Sequence, residues 1–235
     1  VLNTAVAESL RQFADVLEKA DDFGKTLNKL IRETVKAHKR IIFNGNGYGD
    51  EWAEEAEKNR GLSNFRTTPD ALPHFLDEKN IRLFTTHGVF TETEMRSRYE
   101  IMLENYTKTV RIEANTMVDM VYKQILPSVT AYAKEIAECG AAKLALGGIP
   151  TEYEAKMAKK LSSLASLIYK GAEELRDAID ETADISDTAA RAFCVKDKVI
   201  MAMNSLRTVC DEAEFIMAEK FRGYPNYTAL LYALQ

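Results

Sequence analysis

Cysteine, the residue that most often staples small folds or holds zinc, is scarce in this chain. Its three copies, Cys139, Cys194 and Cys210, are odd in number, lie far apart and form no Cys-x-x-Cys pair. Such spacing supports neither a disulfide framework nor a zinc site. We therefore interpret the cysteines as small buried apolar groups in a reducing cytosol.

Histidine is equally rare. His38, His74 and His87 fall in different segments and share no helical face, which argues against a metal cluster or a histidine-based triad. A di-metal bundle of the ferritin type would need Glu-x-x-His pairs on inward faces, and the sequence contains none. From the residues alone we assign no catalytic, cofactor-binding or metal-binding residue.

Long apolar runs and a strong excess of one charge are also missing. No apolar run approaches the roughly 20 residues that span a bilayer, and no signal peptide is visible at the start. The formal net charge of -5, with 46% hydrophobic and 29% charged residues, is unlike the basic balance of nucleic-acid binders. We expect a cytoplasmic chain that binds neither membrane nor nucleic acid.

The first residues already follow a helical pattern. The chain opens at Val1 without an initiator Met. Its early apolar positions recur at the spacing of one helix face: Val6, Leu10, Phe13 and Leu17. This pattern leads us to expect that the sequence was cut from a longer protein.

Apolar spacing predicts short helices in the first part of the chain. One ends near Ala20 to Asp22, and a second runs from about Phe23 to His38 and pairs with it antiparallel. Two more are predicted at about Asp50 to Arg60 and about Glu78 to His87. Each of these is followed by a glycine.

Local end signals support these boundaries. Gly61 and Gly88 can take the left-handed conformation that helix C-termini favour. Thr68 before Pro69 predicts an N-cap with proline at the first helical position. His87 is placed to interact with the terminal carbonyls of its helix.

Three long helices are predicted in the second part. Thr91 and Glu94 form a capping box for the first, which runs to about Cys139 with a kink near Gln124 to Leu126, because Pro127 lacks a backbone donor. A second capping box, Thr151 and Glu154, starts a helix from Thr151 to about Glu181, in which Gly171 predicts close contact with another helix. The third helix spans about Ser186 to Phe221. We expect an all-α fold in which these three form a long antiparallel bundle, preceded by shorter helices and a glycine-rich loop.

That loop, Asn44 to Asp50, has glycine at every second position. As a calcium loop it would use Asn44, Asn46, Tyr48 and Glu55, which supply little charge. As a phosphate cradle it lacks the Gly-Lys-Ser/Thr ending. The third interpretation, which we favour, is a tight surface turn that needs positive φ.

A methionine and tyrosine stripe follows on the first long helix, at Tyr99, Met102, Tyr106, Met117 and Met120. It is consistent with a ligand groove. Helical spacing of this kind more often belongs to a core.

Several segments together resemble the C-terminal region of type III glutamine synthetases, the large bacterial form of the enzyme. The segment from Lys39 to Leu72, KRIIFNGNGYGDEWAEEAEKNRGLSNFRTTPDAL, carries the resemblance most strongly. The opening VLNTAVAESL, the helix RYEIMLENYTKTVRIEANTMVDMV and the closing YPNYTALLYAL add to it. The resemblance covers nearly the whole chain and is strongest through Val121.

The resemblance implies a parent reaction in nitrogen metabolism. Glutamine synthetases ligate ammonia to glutamate with ATP, using Mg²⁺ or Mn²⁺ held mainly by glutamates. In the family these residues would lie upstream of Val1, so no catalytic, cofactor or metal residue is carried over to this chain. The resemblance implies that residues 1–90 end the catalytic domain and that residues 91–235 form a helical bundle extension.

The resemblance also implies partners. They are the upstream catalytic domain and neighbouring subunits, arranged as hexameric rings stacked into a dodecamer. A free-standing helical interaction or regulatory protein related to that region is the alternative. If the chain is part of an assembly, exposed apolar residues are expected on the face of residues 1–20, including Leu10 and Phe13, and along Ala229 to Leu234.

Overall fold

We describe a computed structural model of the chain, which covers residues 1–233. All regular elements in this range are helical, with no strand among the described residues, which confirms the all-α prediction. The chain divides into two compact units, Val1–Met102 and a second unit that begins at Leu103. None of the helices in the described range is long and apolar enough to cross a membrane.

The first unit contains five α-helices and two 3₁₀ turns, Lys39–Ile41 and Leu72–Leu76, before the long helix. The α-helices are α1 (Leu2–Leu17), α2 (Phe23–Ala37), α3 (Asp50–Lys58), α4 (Thr68–Ala71) and α5 (Glu78–Thr86). The end of α1 comes earlier than predicted, because Asp22 is extended and its carboxylate accepts the Lys25 backbone N–H as the N-cap of α2. The chain must leave the helical conformation before that cap.

Glycine and threonine set the ends of α3, α4 and α5. Gly61 and Gly88 have φ of 61° and 60°, which confirms the predicted left-handed C-termini. The predicted N-cap at Thr68 is wrong by one residue. Thr67 is the extended residue, and its hydroxyl accepts the Asp70 backbone N–H at 3.4 Å. Thr67, and not its neighbour Thr68, lies three residues before the Asp70 N–H that the cap must accept.

The first long helix consists of α6 (Glu92–Met120) and α7 (Leu126–Leu146), joined by a π turn at Val121–Ile125. The capping box is confirmed, since Glu94 N–H donates to the Thr91 hydroxyl at 3.2 Å and Thr91 N–H donates to the Glu94 carboxylate at 2.8 Å. The interruption lies where Pro127 predicts one. A proline cannot donate to the preceding turn, and a π turn is one way to accommodate the loss.

The helix continues past Cys139, where the sequence predicted its end. Gly140 does not break it, because the Glu154 side chain packs directly on this glycine. A Cβ atom at Gly140 would lie 3.0 Å from Glu154 Cβ. The missing side chain of Gly140 allows two helices to approach closely, and this glycine does not end its helix.

The remaining helices are α8 (Glu152–Glu181), α9 (Thr188–Cys194), α10 (Ile200–Ile216) and α11 (Tyr227–Leu231). A second π turn, Val195–Val199, joins α9 to α10 and was not predicted. The third long helix also stops before Phe221. Met217 is extended and buried, so its side chain turns inward and ends the helix at Ile216.

Thr151 precedes α8 as predicted but donates and accepts no side-chain cap bond. The prediction of a second capping box is therefore wrong. Its intended acid, Glu154, is buried and pairs with Lys143 of α7. A tertiary ion pair has replaced the local cap.

The core of the second unit lies between α7, α8 and α10, with the flanking π turns. Its fully buried members include Val121, Val129, Leu161, Ile168, Leu175, Val195, Val199 and Leu206. α8 and α10 approach closely where a Cβ on Gly171 would lie 3.2 Å from Leu206 Cδ1. This contact confirms the expected role of Gly171 and, with Glu181 paired to Lys198, shows that the two helices run antiparallel.

Candidate functional site

The glycine-rich loop of the first unit is held by an aromatic platform. Phe43, before the loop, stacks on Trp52 of α3 with ring centroids 4.1 Å apart. The Arg60 guanidinium lies 5.0 Å from the Trp52 centroid, and its Nη1 donates to the Ile42 carbonyl at 2.8 Å. Arginine thus joins the two ends of the loop by a cation–π contact and a hydrogen bond.

The loop itself projects into solvent. Tyr48 is fully exposed, and its backbone N–H donates to Asn46 Oδ1 at 3.1 Å. Glycines 45, 47 and 49 all have ordinary φ, so the prediction of a positive-φ turn is wrong. Gly45 is needed for space instead, because a Cβ there would lie 2.6 Å from Phe43 Cζ.

Glu55 does not turn toward the loop as a calcium ligand would. Its carboxylate accepts hydrogen bonds from Asn59 and from Arg60 Nε. These two contacts, Asn59 first, lower the pKa of Glu55. Among the described residues there is no group of three His, Cys, Asp or Glu side chains that could hold a metal ion.

The histidines lie apart and make separate contacts. His74 stacks on Phe65, with centroids 4.1 Å apart. The sequence predicted that His87 interacts with the terminal carbonyls of α5. This prediction is wrong. The His87 Nε2 lies 2.8 Å from Glu8 Oε2 on α1, because that carboxylate is a stronger acceptor than a peptide carbonyl.

Glu8 is the centre of a polar cluster that joins α1 to α5. It accepts two hydrogen bonds from Arg11, at 2.9 and 2.8 Å, and one from Gln12 at 2.7 Å. These bonds, Arg11 first, together with His87, hold the pKa of Glu8 far below its usual range. Sequence patterns alone did not indicate the cluster, since Glu8 and His87 are distant along the chain.

A second polar cluster lies at the first π turn. The Tyr122 hydroxyl donates to the Glu173 carboxylate of α8, which also accepts from Arg176 at 3.2 Å. The bond to Glu173, and burial after it, raise the pKa of Tyr122 to about 12. This hydroxyl therefore stays protonated at neutral pH and acts as a donor.

The second unit contains a groove of about 550 Å³ between α6, α10 and the C-terminal segment. Its apolar lining includes Met117, Met120 and Met203, while Leu230 and Tyr227 of α11 close one side. The sequence interpretation of the methionine stripe as core is confirmed for Tyr106 and Met117, which pack partly buried against the core. It is wrong for Met102, which is exposed, and Met120 lines the groove together with Met117. The sequence did not show that Met203 and α11 face them.

Residues 223 and 224 anchor the C-terminal segment beside this groove. The Tyr224 hydroxyl donates to Glu214 at 2.9 Å. Burial, and then Glu214, raise the pKa of Tyr224 to about 12. Cys210 lies nearby, and burial raises the pKa of its thiol to about 11. That thiol is therefore protonated and poorly nucleophilic at neutral pH.

Only one cysteine matches the expected buried class. Cys210 is buried and Cys194 is half-buried, but Cys139 is exposed on α7. The exposure of Cys139 contradicts the interpretation of all three cysteines as buried groups. Cys139 falls on the part of α7 that the sequence placed at the helix end, so its face could not be assigned.

Comparison with known proteins places these features in a family. A family model described as the glutamine synthetase C-terminal domain matches residues 26–143. Over 92% of its length, the chain is 37% identical to "Glutamine synthetase" of Butyrivibrio fibrisolvens, and it covers 31% of that protein. Over 99% it is 34% identical to "Type-3 glutamine synthetase" of Dictyostelium discoideum, covering 32%.

A further relative, "Glutamine synthetase" of Bacteroides fragilis (strain YCH46), is 27% identical over 98% of the chain, which covers 33% of that protein. The chain thus spans about a third of the length of these curated relatives. The matched residues include the glycine-rich loop, the aromatic platform and the first π turn. The chain belongs to the glutamine synthetase family and carries its C-terminal domain.

Proposed function

We propose that the chain is the structural and assembly part of a type III glutamine synthetase. It would pack against the catalytic part of the polypeptide and against neighbouring subunits of a homo-oligomer. The parent reaction is the ATP-dependent ligation of ammonia to glutamate, carried out in the cytoplasm. ATP and Mg²⁺ or Mn²⁺ would bind the catalytic part, and we assign no residue of this chain to them.

The observation that carries the proposal is an exposed apolar surface on the helices α1 and α2. Val6 and Leu10 on α1 are 50% and 60% exposed, and Ile31 and Val35 on α2 are 54% and 53% exposed. These side chains recur at helical spacing, unlike the scattered exposed apolar residues of an ordinary surface. Phe13, which was expected to share this exposure, is half-buried.

A packing partner for this surface is consistent with the length of the relatives, which are about three times as long as the chain. Continuous apolar helix faces usually mark contacts with another part of a protein or with another subunit. The C-terminal residues Leu230 and Leu231 are also exposed. Leu234, which was expected to extend this run, lies outside the described residues.

A domain replacement tests the proposal. The chain is joined to the remaining two thirds of the Butyrivibrio fibrisolvens relative, in place of the corresponding C-terminal third, and ATP-dependent glutamine formation is measured. We expect activity from the chimera and none from the chain alone. A folded chimera that stays inactive beside an active parent enzyme, or turnover by the isolated chain, contradicts the proposal.

Point variants of the chimera identify the surface that matters. Leu10→Ser should lower activity and subunit association, because it removes an apolar contact from the α1 face. Ile112→Ser is the matched control, since Ile112 is 67% exposed on α6. Equal behaviour of the two variants would show that the α1 face has no partner.

A further inference from the structure

The glycine-rich loop contains the only two Asn-Gly pairs of the sequence, Asn44–Gly45 and Asn46–Gly47. In such a pair the backbone nitrogen of the glycine can attack the side-chain amide carbon of the asparagine, because glycine has no Cβ that hinders the approach. Helices oppose this attack, since they hold their backbone N–H groups in hydrogen bonds. Both pairs lie outside the helices, and all four residues are exposed.

The Asn46 side chain is already placed for this attack. The Tyr48 backbone N–H donates to Asn46 Oδ1 at 3.1 Å, and this bond forms an Asx turn, in which the side chain folds back over the following backbone. The same bond polarises the side-chain carbonyl and makes its carbon, Cγ, more electrophilic. The amide nitrogen Nδ2, which would leave, makes no hydrogen bond within the described part of the chain.

Gly47 supplies the nucleophile. Its backbone N–H makes no hydrogen bond with any described residue, so no bond has to break before the nitrogen loses its proton. Nothing lies within 4 Å of a Cβ placed on Gly47, so a ring can close here without displacing neighbours. The other glycine differs, because a Cβ on Gly45 would lie 2.6 Å from Phe43 Cζ. The Phe43 ring thus restricts the movement that an attack on Asn44 requires.

We propose that Asn46 is a site of spontaneous deamidation and that it reacts before Asn44. The Gly47 nitrogen loses its proton to solvent and forms a bond to Asn46 Cγ. The bond from Cγ to Nδ2 breaks, and Nδ2 takes up a proton from solvent and leaves as ammonia. Water then opens the resulting cyclic imide at either of its carbonyls. The products are aspartate and isoaspartate, and each replaces a neutral amide by a carboxylate.

The reaction leaves the support of the loop intact. Phe43, Trp52 and Arg60 hold its two ends by contacts that do not use the Asn46 side chain. Residues 44–49 carry no charge, so either product gives this exposed loop a carboxylate just before the acidic first turn of α3. The charge of the loop therefore changes without unfolding of the protein. This chemistry needs only the loop itself, so it does not depend on the proposed assembly function.

Incubation of the isolated chain at neutral and at mildly alkaline pH tests the proposal. Isoelectric focusing should show a more acidic species that grows with time, and faster at the higher pH, because the nucleophile is a deprotonated amide. Peptide mass spectrometry should locate the change at Asn46, and an isoaspartate-specific methyltransferase should label part of the product. In heavy-oxygen water the new carboxylate should carry the label, which distinguishes this reaction from deamidation before the incubation.

Variants of the loop identify the reacting pair. Gly47→Ala hinders the nucleophile but keeps Asn46, and the added methyl group has open space at a residue of ordinary φ. We expect loss of most of the product at Asn46 in this variant. Asn46→Gln should abolish the product, because its longer side chain would have to close a larger ring. Asn44→Gln is the matched control in the same loop and should leave the reaction at Asn46 unchanged.

The chain unfolded in urea provides the reference rate. If Asn46 reacts in urea but not in the folded chain, the folded loop protects this residue and the proposal is overturned. Reaction of Asn44 ahead of Asn46, or an unchanged rate in Gly47→Ala, overturns it as well. Circular dichroism of each variant before incubation verifies that its helices are retained.

Discussion

A Cβ atom placed on Gly223 would lie 2.9 Å from the backbone carbonyl oxygen of Gln124. Gln124 belongs to the π turn before Pro127, so the C-terminal segment packs against the place where the long helix departs from α geometry. Ser128 Oγ is equally close, at 2.9 Å. Only glycine fits between these two groups without displacing backbone.

Gly223→Ala should therefore destabilise the second unit by about 1–3 kcal/mol, the usual cost of overpacking. Urea unfolding followed by circular dichroism measures the change. Gly47→Ala is the control, because nothing lies within 4 Å of a Cβ there. Equal unfolding midpoints for the two variants would show that the C-terminal segment does not pack on the π turn.

Arg60→Gln should loosen the glycine-rich loop at a cost of about 1 kcal/mol, because it removes a cation–π contact and hydrogen bonds to the Arg40 and Ile42 carbonyls just before the loop. Trp52 is the single tryptophan of the chain, so its fluorescence reports on the platform directly. We expect emission at longer wavelength and easier quenching by iodide. Lys58→Gln, which breaks only an exposed pair with Glu54, should leave the spectrum unchanged.

Glu8→Gln should change how the stability of the first unit depends on pH. The folded-state pKa of Glu8 is depressed, so its stabilising contribution is complete above the ordinary glutamate pKa of about 4.3 and is lost as the pH falls below it. The variant should be less stable at pH 7 and less sensitive to acid. Thermal unfolding between neutral and acidic pH measures this, with Glu57→Gln on α3 as control. Parallel curves for the variant and the unmodified chain would contradict the role of the Glu8 cluster.

Thiol labelling should rank the cysteines by exposure. Cys139 is expected to react first with a maleimide at neutral pH. Cys210 should stay unlabelled until the protein unfolds, because burial raises its thiol pKa to about 11 and blocks access. Mass spectrometry of peptides after timed labelling gives the order, and Cys139→Ser should abolish the fast phase. Early modification of Cys210 would mean that the groove beside it opens readily.

The sequence predicted the features that depend on near neighbours. Gly61 and Gly88 end helices because a left-handed residue is a local requirement, and the Thr91–Glu94 capping box involves residues three apart. Pro127 likewise acts on the turn directly before it. These signals do not need knowledge of the rest of the fold.

Features that failed or were missed depend on contacts between distant residues. Glu154 leaves its cap position because Lys143 of another helix binds it, and His87 turns to Glu8. The second π turn, Val195–Val199, contains no proline or glycine that would indicate an irregular turn. The methionine groove is formed by α6, α10 and α11 together, so the stripe on α6 alone could not distinguish groove from core.

The π turn at Val121–Ile125 has a consequence for how the chain tolerates change in length. A π turn contains one residue more than an α turn, so all of α7 is rotated by about 100° from the position that an unbroken α-helix would give it. Deleting a single residue within 121–125 would turn Val129 and Tyr132, both buried, toward solvent. Insertions and deletions here act as rotations of a 21-residue helix, whereas the same change in the loop Asn44 to Asp50 alters only the length of an exposed connection.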